Sequence, residues 1–411
     1  MELTFEKYNE LEYLYGTPFY LMYPDTFRKN IENFKRAFTI RNMDIILGYS
    51  FKTNFTPPLL KIVKESGCYA EVVSDMEYEL AEHIGFEGSH IIYNGPVKSY
   101  ESILKAINNQ SILNVDSKYE IEHLLKIRNE YPDKKVQVGL RVNMVINTNH
   151  NQSAIQDGYA FSHFGFSEQD LSSVVSLLNR VGIDIVSLHG HVSSGNRSVE
   201  NYRIITKTLL SLCEEYQLDK VKYLDLGGGF FGAAPEGLNI SHRPTYDSYA
   251  EGIYQILSFN EWYHAHKPYL VIEPGTSVVA NVFDVVSKIH QHKQIHGKNF
   301  VTIDASMINV KTLLGKANYL FTLSSSHSEA EEIVTDVVGS TCMERDIVLK
   351  DVRLRHYSYG DYIHFKGVGA YSLSMTPSFI NYIFPIIECK DGQFKLARKK
   401  QNLQNILDLY V

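Results

Sequence analysis

The chain has 411 residues, of which 44% are hydrophobic and 21% are charged, and its formal net charge is −7. This length is enough for more than one ordinary domain with a large core. The negative balance provides no basic field for nucleic acid, and no apolar run reaches the roughly 18 residues of a membrane-spanning helix.

Short β-rich segments alternate with amphipathic segments from about residue 26 to residue 275. The pattern predicts helices over 76–84, 119–129 and 199–215, and strands over 45–51, 69–73, 90–93, 111–115, 136–142, 183–189, 223–226 and 269–272. This alternation predicts a closed (β/α)8 TIM barrel, with an open doubly wound sheet as the rival. Several chemically suggestive residues directly follow these strands, and a barrel gathers such positions at one mouth.

The pattern changes after about residue 276. Strands are predicted over 299–304, 332–338, 361–365 and 379–388, with Gly and Ser turns between them and little helix. A short extended piece at 18–22 is expected to join them. We therefore predict an α/β plus β fold, with a barrel domain over 26–275 and a β-rich domain formed by 1–25 and 276–411.

Lys52 directly follows the first predicted barrel strand. A lysine that is partly desolvated at a strand end loses its proton more easily and becomes a nucleophile toward an aldehyde. A solvated lysine is the commoner outcome at such a position, so this segment alone leaves both interpretations open.

Two other strand ends carry candidates. Gly227, Gly228 and Gly229 follow the strand predicted at 223–226, and backbone amides without side chains can approach a phosphate closely. A flexible loop is the plainer interpretation. Glu273 follows the apolar run 270–272, and beside a pyridine ring such a carboxylate would keep the ring nitrogen protonated. A salt-bridged glutamate is the alternative.

His189 and His191 are two residues apart at the end of another predicted strand. A His-x-His pair is a metal-ligand pattern, and with Lys52 and an aspartate it would suit a metal-dependent hydrolase. Alternatively, one imidazole stacks on a planar cofactor while Ser194 and Gly195 contact its phosphate. A structural role is a third interpretation for His189.

Two later segments complete the candidates. Cys342 lies in a turn-like stretch beside acidic residues, and Tyr371 follows a glycine turn. An inert cysteine and a packed tyrosine are the commoner fates of these residues. The four cysteines form no CxxC pair, which indicates neither a zinc knuckle nor a disulfide framework. With a start that lacks an apolar signal core, this predicts a cytoplasmic protein.

Together these segments resemble the fold-type III pyridoxal-phosphate decarboxylases, the family of diaminopimelate, ornithine and arginine decarboxylases. The segment 49–54 is similar to the family pattern YAxKAN, and 189–195 is similar to HxHxGSG. Further matching segments follow in family order over nearly the whole chain: 15–18, 71–74 with Glu77, 140–143, 164–165, 227–229, 273–275, Cys342 with Asp346, and 369–371.

The resemblance implies a pyridoxal 5'-phosphate enzyme that releases CO2 from an amino acid through an internal aldimine on Lys52 and a quinonoid. It implies that His191 stacks on the cofactor ring, that Glu273 pairs with the ring nitrogen, and that Cys342 is an acid reaching in from a second subunit of a homodimer. The implied phosphate ligands are Ser194, Gly227, Gly228, Gly229, Gly275 and Tyr371.

The chain departs from the family at positions that contact substrate. Thr276 stands where the family usually has the arginine of Glu-Pro-Gly-Arg. Met343 stands where the relatives have glutamate or aspartate after the cysteine, with Glu344 one step away and Asp346 nearby. The arginine-proline pair expected after the 299–304 strand is missing, and Lys311 is the nearest cation. We therefore expect a substrate other than diaminopimelate, because unpaired buried charge is costly.

Three alternatives remain beside a decarboxylase. An amino acid racemase of the same fold would place an arginine near the pyridine nitrogen, so Glu273 favours decarboxylation. A metal-dependent hydrolase would use the His-x-His pair. A non-catalytic regulator would need none of Lys52, Glu273 and Cys342.

Overall fold

The computed structural model describes residues 3–147, 155, 159–193, 195–311, 318–325, 332–355 and 358–411. The chain divides into two compact units. The first, here called the barrel unit, comprises Lys29–Gly232 and Ser241–Val278. The second, the β unit, comprises Met1–Arg28, Ala233–Ile240 and Val279–Val411. The domain boundaries expected from the sequence, 26–275 and 1–25 with 276–411, stay a prediction.

Helices and strands alternate through most of the first 280 residues. The helices are α1 (Phe5–Tyr15), α2 (Pro24–Thr39), α3 (Pro57–Glu65), α4 (Asp75–Ile84), α5 (Tyr100–Asn108), α6 (Lys118–Glu130), α7 (Glu168–Arg180), α8 (Val199–Glu215), α9 (Tyr246–Leu257), α10 (Glu261–His266), α11 (Thr276–Val279), α12 (Met307–Lys311) and α13 (Leu403–Leu407). The strands are β1 (Phe19–Met22), β2 (Ile45–Ser50), β3 (Tyr69–Val72), β4 (Ile91–Tyr93), β5 (Ile112–Val115), β6 (Gln137–Arg141), β7 (Asp184–His189), β8 (Tyr223–Asp225), β9 (Tyr269–Ile272), β10 (Phe283–Ile295), β11 (Lys298–Ile303), β12 (Phe321–Ser324), β13 (Glu332–Val338), β14 (Ile347–Arg355), β15 (Tyr362–Phe365), β16 (Ile386–Lys390) and β17 (Gln393–Arg398).

Eight parallel strands, β2 to β9, close into a barrel in chain order, which confirms the predicted TIM barrel. The barrel closes where β2 pairs with β9, with Leu47 opposite Ile272. Its strands are near-continuous apolar runs because both of their faces are covered. Four of their buried side chains form one cluster, here called the interior cluster: Ile46, Ile92, Ile112 and Val271.

The helices of the barrel unit begin at polar caps. Ser74, Ser99, Ser167 and Ser198 each accept a hydrogen bond from a backbone N–H in the first turn of the following helix. Such caps fix where a helix starts and therefore where the preceding strand-end loop finishes. The predicted helices over 76–84, 119–129 and 199–215 correspond to α4, α6 and α8.

The β unit contains a nine-stranded sheet with the main order β14-β13-β11-β10-β1-β16-β17, and β15 pairs with β10 and β12. This confirms the predicted β-rich region, and β1 joins it by pairing with β10 and β16. The strand predicted over 379–388 was wrong in its bounds, because β16 begins only at Ile386. None of the helices in the described part of the chain has the length and apolar character needed to cross a membrane.

Candidate active site

A layer of polar side chains lies inside the barrel near the carboxyl ends of its strands. Asn94, Asn114 and Glu273 each lie two positions after a member of the interior cluster. Because side chains alternate between the two faces of a strand, this step keeps them facing the barrel interior. Gly139 makes room for the layer, since a Cβ there would lie 2.0 Å from Asn114 Oδ1.

Lys52 is held at the rim of this layer by a buried carboxylate. It lies in a 3-10 turn, Phe51–Thr53, that directly follows β2. Its Nζ donates to Glu71 Oε2 at 2.7 Å and to Ser50 Oγ at 2.8 Å. The Lys52 side chain is 41% exposed whereas that of Glu71 is 1% exposed. The lysine is therefore fixed in position while part of it stays accessible to a ligand.

Two asparagines link the carboxylates of the layer. Asn94 Nδ2 donates to Glu71 Oε1 at 3.1 Å and to Glu273 Oε1 at 2.6 Å. Asn114 Nδ2 donates to Asn94 Oδ1 at 2.9 Å and to Asp225 Oδ2 at 3.2 Å. A continuous hydrogen-bonded chain thus crosses the barrel from Lys52 to Asp225.

Glu273 and Asp225 are buried acids with raised pKa values. Burial, followed by the charges of Asp225 and Glu71, raises the pKa of Glu273 well above its ordinary value. Burial also raises the pKa of Asp225 to about 7, although that carboxylate accepts the Gly227 N–H at 2.9 Å. Glu273 therefore needs a cationic or donating partner to carry a negative charge at neutral pH.

The two histidines have different surroundings. Both ring nitrogens of His189 are buried and hydrogen-bond to none of the described residues, with Nε2 3.7 Å from Glu273 Oε2. His191 Nδ1 accepts the Gly228 N–H at 3.0 Å, and burial lowers the pKa of His191 to about 3. His191 is therefore a neutral ring with its orientation set by a backbone bond.

The structure does not gather the His-x-His pair as ligands of one ion. Strand β7 ends at His189, and the two imidazole centroids lie 6.3 Å apart. In the described part of the chain, the group whose ligand atoms lie within 4.8 Å of one another is His189, Asp225 and Glu273. That group includes His189 and an aspartate, as the hydrolase hypothesis expected, but it does not include His191.

The glycine triplet allows the loop after β8 to pack closely. Gly227 and Gly229 have φ values of +69° and +89°, and a Cβ on Gly227 would lie 2.5 Å from His191 Cβ. The Gly227 and Gly228 amides donate to Asp225 and His191, so these two amides are engaged within the site. Phosphate binding by the triplet stays a prediction.

The segment after β9 packs against the turn that carries Lys52. A Cβ on Gly275 would lie 2.1 Å from Thr53 Oγ1. The Ser50 N–H donates to the Pro274 carbonyl at 3.2 Å. The backbone that carries Glu273 and the turn that carries Lys52 therefore hold each other in place.

Four neighbouring candidates lie in the β unit. Cys342 and Glu344 are exposed, and Met343 is half-buried. Asp346 is buried, and its carboxylate accepts the Met307 N–H at 2.8 Å and the Thr341 hydroxyl at 2.6 Å. Asp346 thereby holds the turn that displays Cys342.

Four predicted positions carry less information. Tyr371 has a positive φ of 66° at a half-buried position. Ser194 and the side chain of Lys311 lie outside the described residues. Thr276 is the first residue of α11.

The sequence-based list of site residues omitted four members of the polar layer. Glu71 lay within a matching segment and Asp225 within the strand predicted at 223–226, both without an assigned role, and Asn94 and Asn114 were not singled out. Their signal was a polar side chain at the end of an otherwise apolar strand, as in Leu113-Asn114-Val115. In a strand whose two faces are buried, a polar side chain is costly unless it forms hydrogen bonds with a partner.

Comparisons with known proteins agree with this architecture. Residues 25–280 match the family model described as "Pyridoxal-dependent decarboxylase, pyridoxal binding domain". Diaminopimelate decarboxylase of Aquifex aeolicus is 25% identical over 97% of this chain and 93% of that protein. Diaminopimelate decarboxylase of Staphylococcus aureus is 28% identical over 96% of this chain and 93% of that protein.

Solved structures show the same fold. Diaminopimelate decarboxylase from Helicobacter pylori, complexed with L-lysine, has a TM-score of 0.85 with 24% identity and covers 98% of both chains. The arginine decarboxylase of Paramecium bursaria Chlorella virus has a TM-score of 0.75 with 20% identity, over 92% of this chain and 97% of that one. A closed parallel barrel with a separate β-rich sheet is therefore a fold that this chain shares with those structures.

Proposed function

Because the chain belongs to the family of pyridoxal-dependent decarboxylases and is a pyridoxal-phosphate-dependent amino acid carboxy-lyase, we propose that Lys52 is the residue that binds the cofactor and that CO2 is released at the carboxyl end of the barrel. The observation that carries this assignment is the placement of Lys52. Its Nζ contacts the buried Glu71, which Asn94 links to the buried Glu273.

The residues of the polar layer fit pyridoxal phosphate. The cofactor needs an amine to hold its aldehyde, an acid for its ring nitrogen and a surface for its ring, and these are Lys52, Glu273 and His191. Neither ring nitrogen of His189 hydrogen-bonds to a residue that the structure describes, so this part of the layer has unused hydrogen-bonding capacity. When bound, pyridoxal phosphate supplies an aldehyde that condenses with amines and a ring that accepts electrons when a bond to the amino acid α-carbon breaks.

Glu273 is suited to hold a proton on the pyridine nitrogen. Its carboxylate is 4% exposed, and burial raises its pKa, so a cationic partner is what lets it ionise. His191, with a pKa lowered to about 3, is neutral and adds no competing positive charge beside the ring. The findings favour neither the racemase nor the metal-dependent hydrolase.

Cys342 is proposed as the acid that returns a proton to the α-carbon after CO2 leaves. Its Sγ lies in an exposed turn of the β unit, while Lys52 lies in the barrel unit. We propose that the enzyme is a cytoplasmic homodimer in which Cys342 of one subunit serves the Lys52 site of the other.

We propose a substrate without the paired distal charges of diaminopimelate or ornithine. Thr276 and the half-buried Met343 stand where the family carries charged residues, and the Asp346 carboxylate is occupied by Thr341 and Met307. A substrate ammonium or carboxylate would therefore lose the partners that these two positions give it in the family, and a site can discriminate by about four to five orders of magnitude on this basis.

Release of CO2 from a panel of amino acids tests this proposal. The panel includes meso-diaminopimelate, ornithine, arginine and lysine beside amino acids with larger uncharged side chains. We expect an uncharged or modified amino acid to give the highest kcat/KM. Efficient turnover of meso-diaminopimelate would contradict the substrate assignment and leave the cofactor assignment intact.

A further inference from the structure

We propose that Asn94 is a positioning residue for the decarboxylation. Its side-chain amide holds the carboxylates of Glu71 and Glu273 at a fixed spacing. This spacing sets the distance between the Lys52 amine and Glu273, the acid that faces the pyridine nitrogen. This inference rests on the roles proposed above for Lys52 and Glu273.

The hydrogen bonds of Asn94 define the orientation of its amide. Its Nδ2 donates to Glu71 Oε1 at 3.1 Å and to Glu273 Oε1 at 2.6 Å, so both amide hydrogens go to different carboxylates. Its Oδ1 accepts from Asn114 Nδ2 at 2.9 Å. Rotating the amide by half a turn would place its oxygen against two carboxylates, so only one orientation satisfies all three contacts.

The loop that carries Asn94 is itself anchored. Gly95 has a φ of +95°, and a Cβ there would lie 2.3 Å from the Val73 carbonyl oxygen. Lys98 Nζ donates to the Gly95 carbonyl and to Glu120 Oε1, each at 2.6 Å, and the side chains of Lys98 and Glu120 are fully buried. The backbone that follows Asn94 is therefore fixed, and the amide has little freedom to follow a carboxylate that moves.

The charge of the layer explains why an amide is required at residue 94. Glu71, Asp225 and Glu273 are all at least 96% buried, so the barrel interior already contains three acids. An acid at residue 94 would add a fourth and could not donate to the other carboxylates. An apolar residue would leave Glu71 Oε1 and Glu273 Oε1 without this donor, and a buried acceptor that loses its donor favours the protonated acid.

The contact between Glu71 and Lys52 gives this positioning role a spectroscopic readout. Glu71 Oε2 accepts from Lys52 Nζ at 2.7 Å, so the charge on Glu71 favours a positive charge on that nitrogen. The visible absorbance of a cofactor bound at Lys52 changes with pH as the same nitrogen titrates. A residue that only supports the fold would leave this titration unchanged.

The decisive experiment compares Asn94→Leu and Asn94→Ser with wild-type protein. The leucine variant removes both donors, and the serine variant keeps one hydroxyl donor and leaves space for water. Three quantities are measured for each: the thermal midpoint of the apo protein, the Kd for pyridoxal phosphate, and the pH at which the absorbance of the bound cofactor titrates.

We expect the Kd for the cofactor to rise about tenfold or more in Asn94→Leu, and the titration of the bound cofactor to shift about one pH unit lower, because Glu71 loses the donor that fixes its carboxylate against Lys52. Asn94→Ser should show smaller changes in the same directions. The matched control is Asn109→Ser, outside the polar layer, whose amide donates to the Tyr78 hydroxyl and to Glu82 Oε1, each at 3.1 Å. Its titration should stay within a few tenths of a pH unit of wild type, as a rough bound on indirect effects.

The outcomes separate this inference from the proposed function. A lower thermal midpoint with unchanged Kd and titration in folded Asn94 variants overturns the positioning role alone. Failure of the serine variant to fold would show that Asn94 is needed for the fold, which also overturns a positioning role. Wild-type protein that binds no pyridoxal phosphate at Lys52 overturns the proposed function and this inference with it.

Discussion

The Lys52 side chain has two separate properties. Its positive charge pairs with Glu71, and its amine can react with an aldehyde. Its Nζ donates to the buried Glu71, and its side chain remains 41% exposed. An arginine at this position would keep the positive charge beside Glu71 but could not condense with an aldehyde. The two properties of the lysine can therefore be separated by substitution.

We expect wild-type protein to show visible absorbance that borohydride bleaches while fixing the cofactor to Lys52. Lys52→Arg should lose this absorbance and lose activity by at least about three orders of magnitude, since the nucleophile is absent. Its thermal midpoint as apo protein should stay close to wild type. Absorption spectra and peptide mapping of the reduced protein check the assignment, and a label on another lysine would refute it.

Met343 offers a second test at the scale of one side chain. If the missing charge at this position limits the substrate range, Met343→Glu should raise kcat/KM for a substrate with a distal amine by about tenfold or more. Met343→Gln is the matched control, because it has a similar size without the charge. Equal effects of both variants would show that shape, and not charge pairing, decides the substrate.

At the scale of an element, the loop between β4 and α5 depends on one buried ion pair. Lys98 contacts Glu120 at 2.6 Å, and Glu120 Oε2 also accepts the Asp116 and Ser117 N–H groups at 2.6 and 2.9 Å. Burial lowers the pKa of Lys98 and raises the pKa of Glu120, so each charge depends on the other. The pair joins this loop to the start of α6.

Lys98→Met should reduce the free energy of unfolding by about 3–5 kcal/mol, because it leaves a buried carboxylate without its partner. Lys98→Met with Glu120→Gln should recover part of this loss, since the glutamine oxygen can still accept the backbone N–H groups. Denaturant unfolding at neutral pH measures both. If adding Glu120→Gln to Lys98→Met lowers the free energy of unfolding further, by as much as a second independent loss would, the pairing argument fails.

The histidines show how element boundaries change the interpretation of a motif. The spacing of His189 and His191 suggested one shared strand face, but β7 ends at His189 and His191 belongs to the following loop. Its Nδ1 is directed to the Gly228 N–H by that loop. Pairing with the neighbouring strands sets where β7 ends. Because His191 lies beyond that end, its ring has a different environment from the ring of His189.

At the scale of the whole molecule, the proposed homodimer makes a prediction about mixed subunits. Lys52→Ala and Cys342→Ala chains should each be nearly inactive alone. In heterodimers, one of the two shared sites would combine an intact Lys52 with an intact Cys342, so a random mixture should regain about a quarter of wild-type activity. Subunit exchange is verified with differently tagged chains. Confirmed exchange without recovery would place both residues in the same site of one chain.

The sequence alone predicted the alternating strands and helices of the barrel, with an open doubly wound sheet as the rival that the pairing of β2 with β9 excluded. Apolar runs that alternate with amphipathic helices are a local signal, and parallel pairing follows from the helical crossovers between them. Lys52 and Glu273 were found because each directly follows such a run, and His191 was found because it forms a His-x-His pair with the last residue of one. In the β-rich region the local signal was weaker, so the 13-residue β10 was not predicted and β16 was placed too early.

Only the tertiary structure decided how these side chains are connected. Asn94, Asn114 and Asp225 come from three different strands, and their contacts depend on the register around the closed barrel. A shift of one residue in one strand would turn its polar side chain away from the interior, and no single segment of sequence records that register. The sequence therefore specified which groups lie at the barrel mouth. The closure of the barrel decided that the Asn94 amide links Glu71, the counter-ion of Lys52, to the buried Glu273.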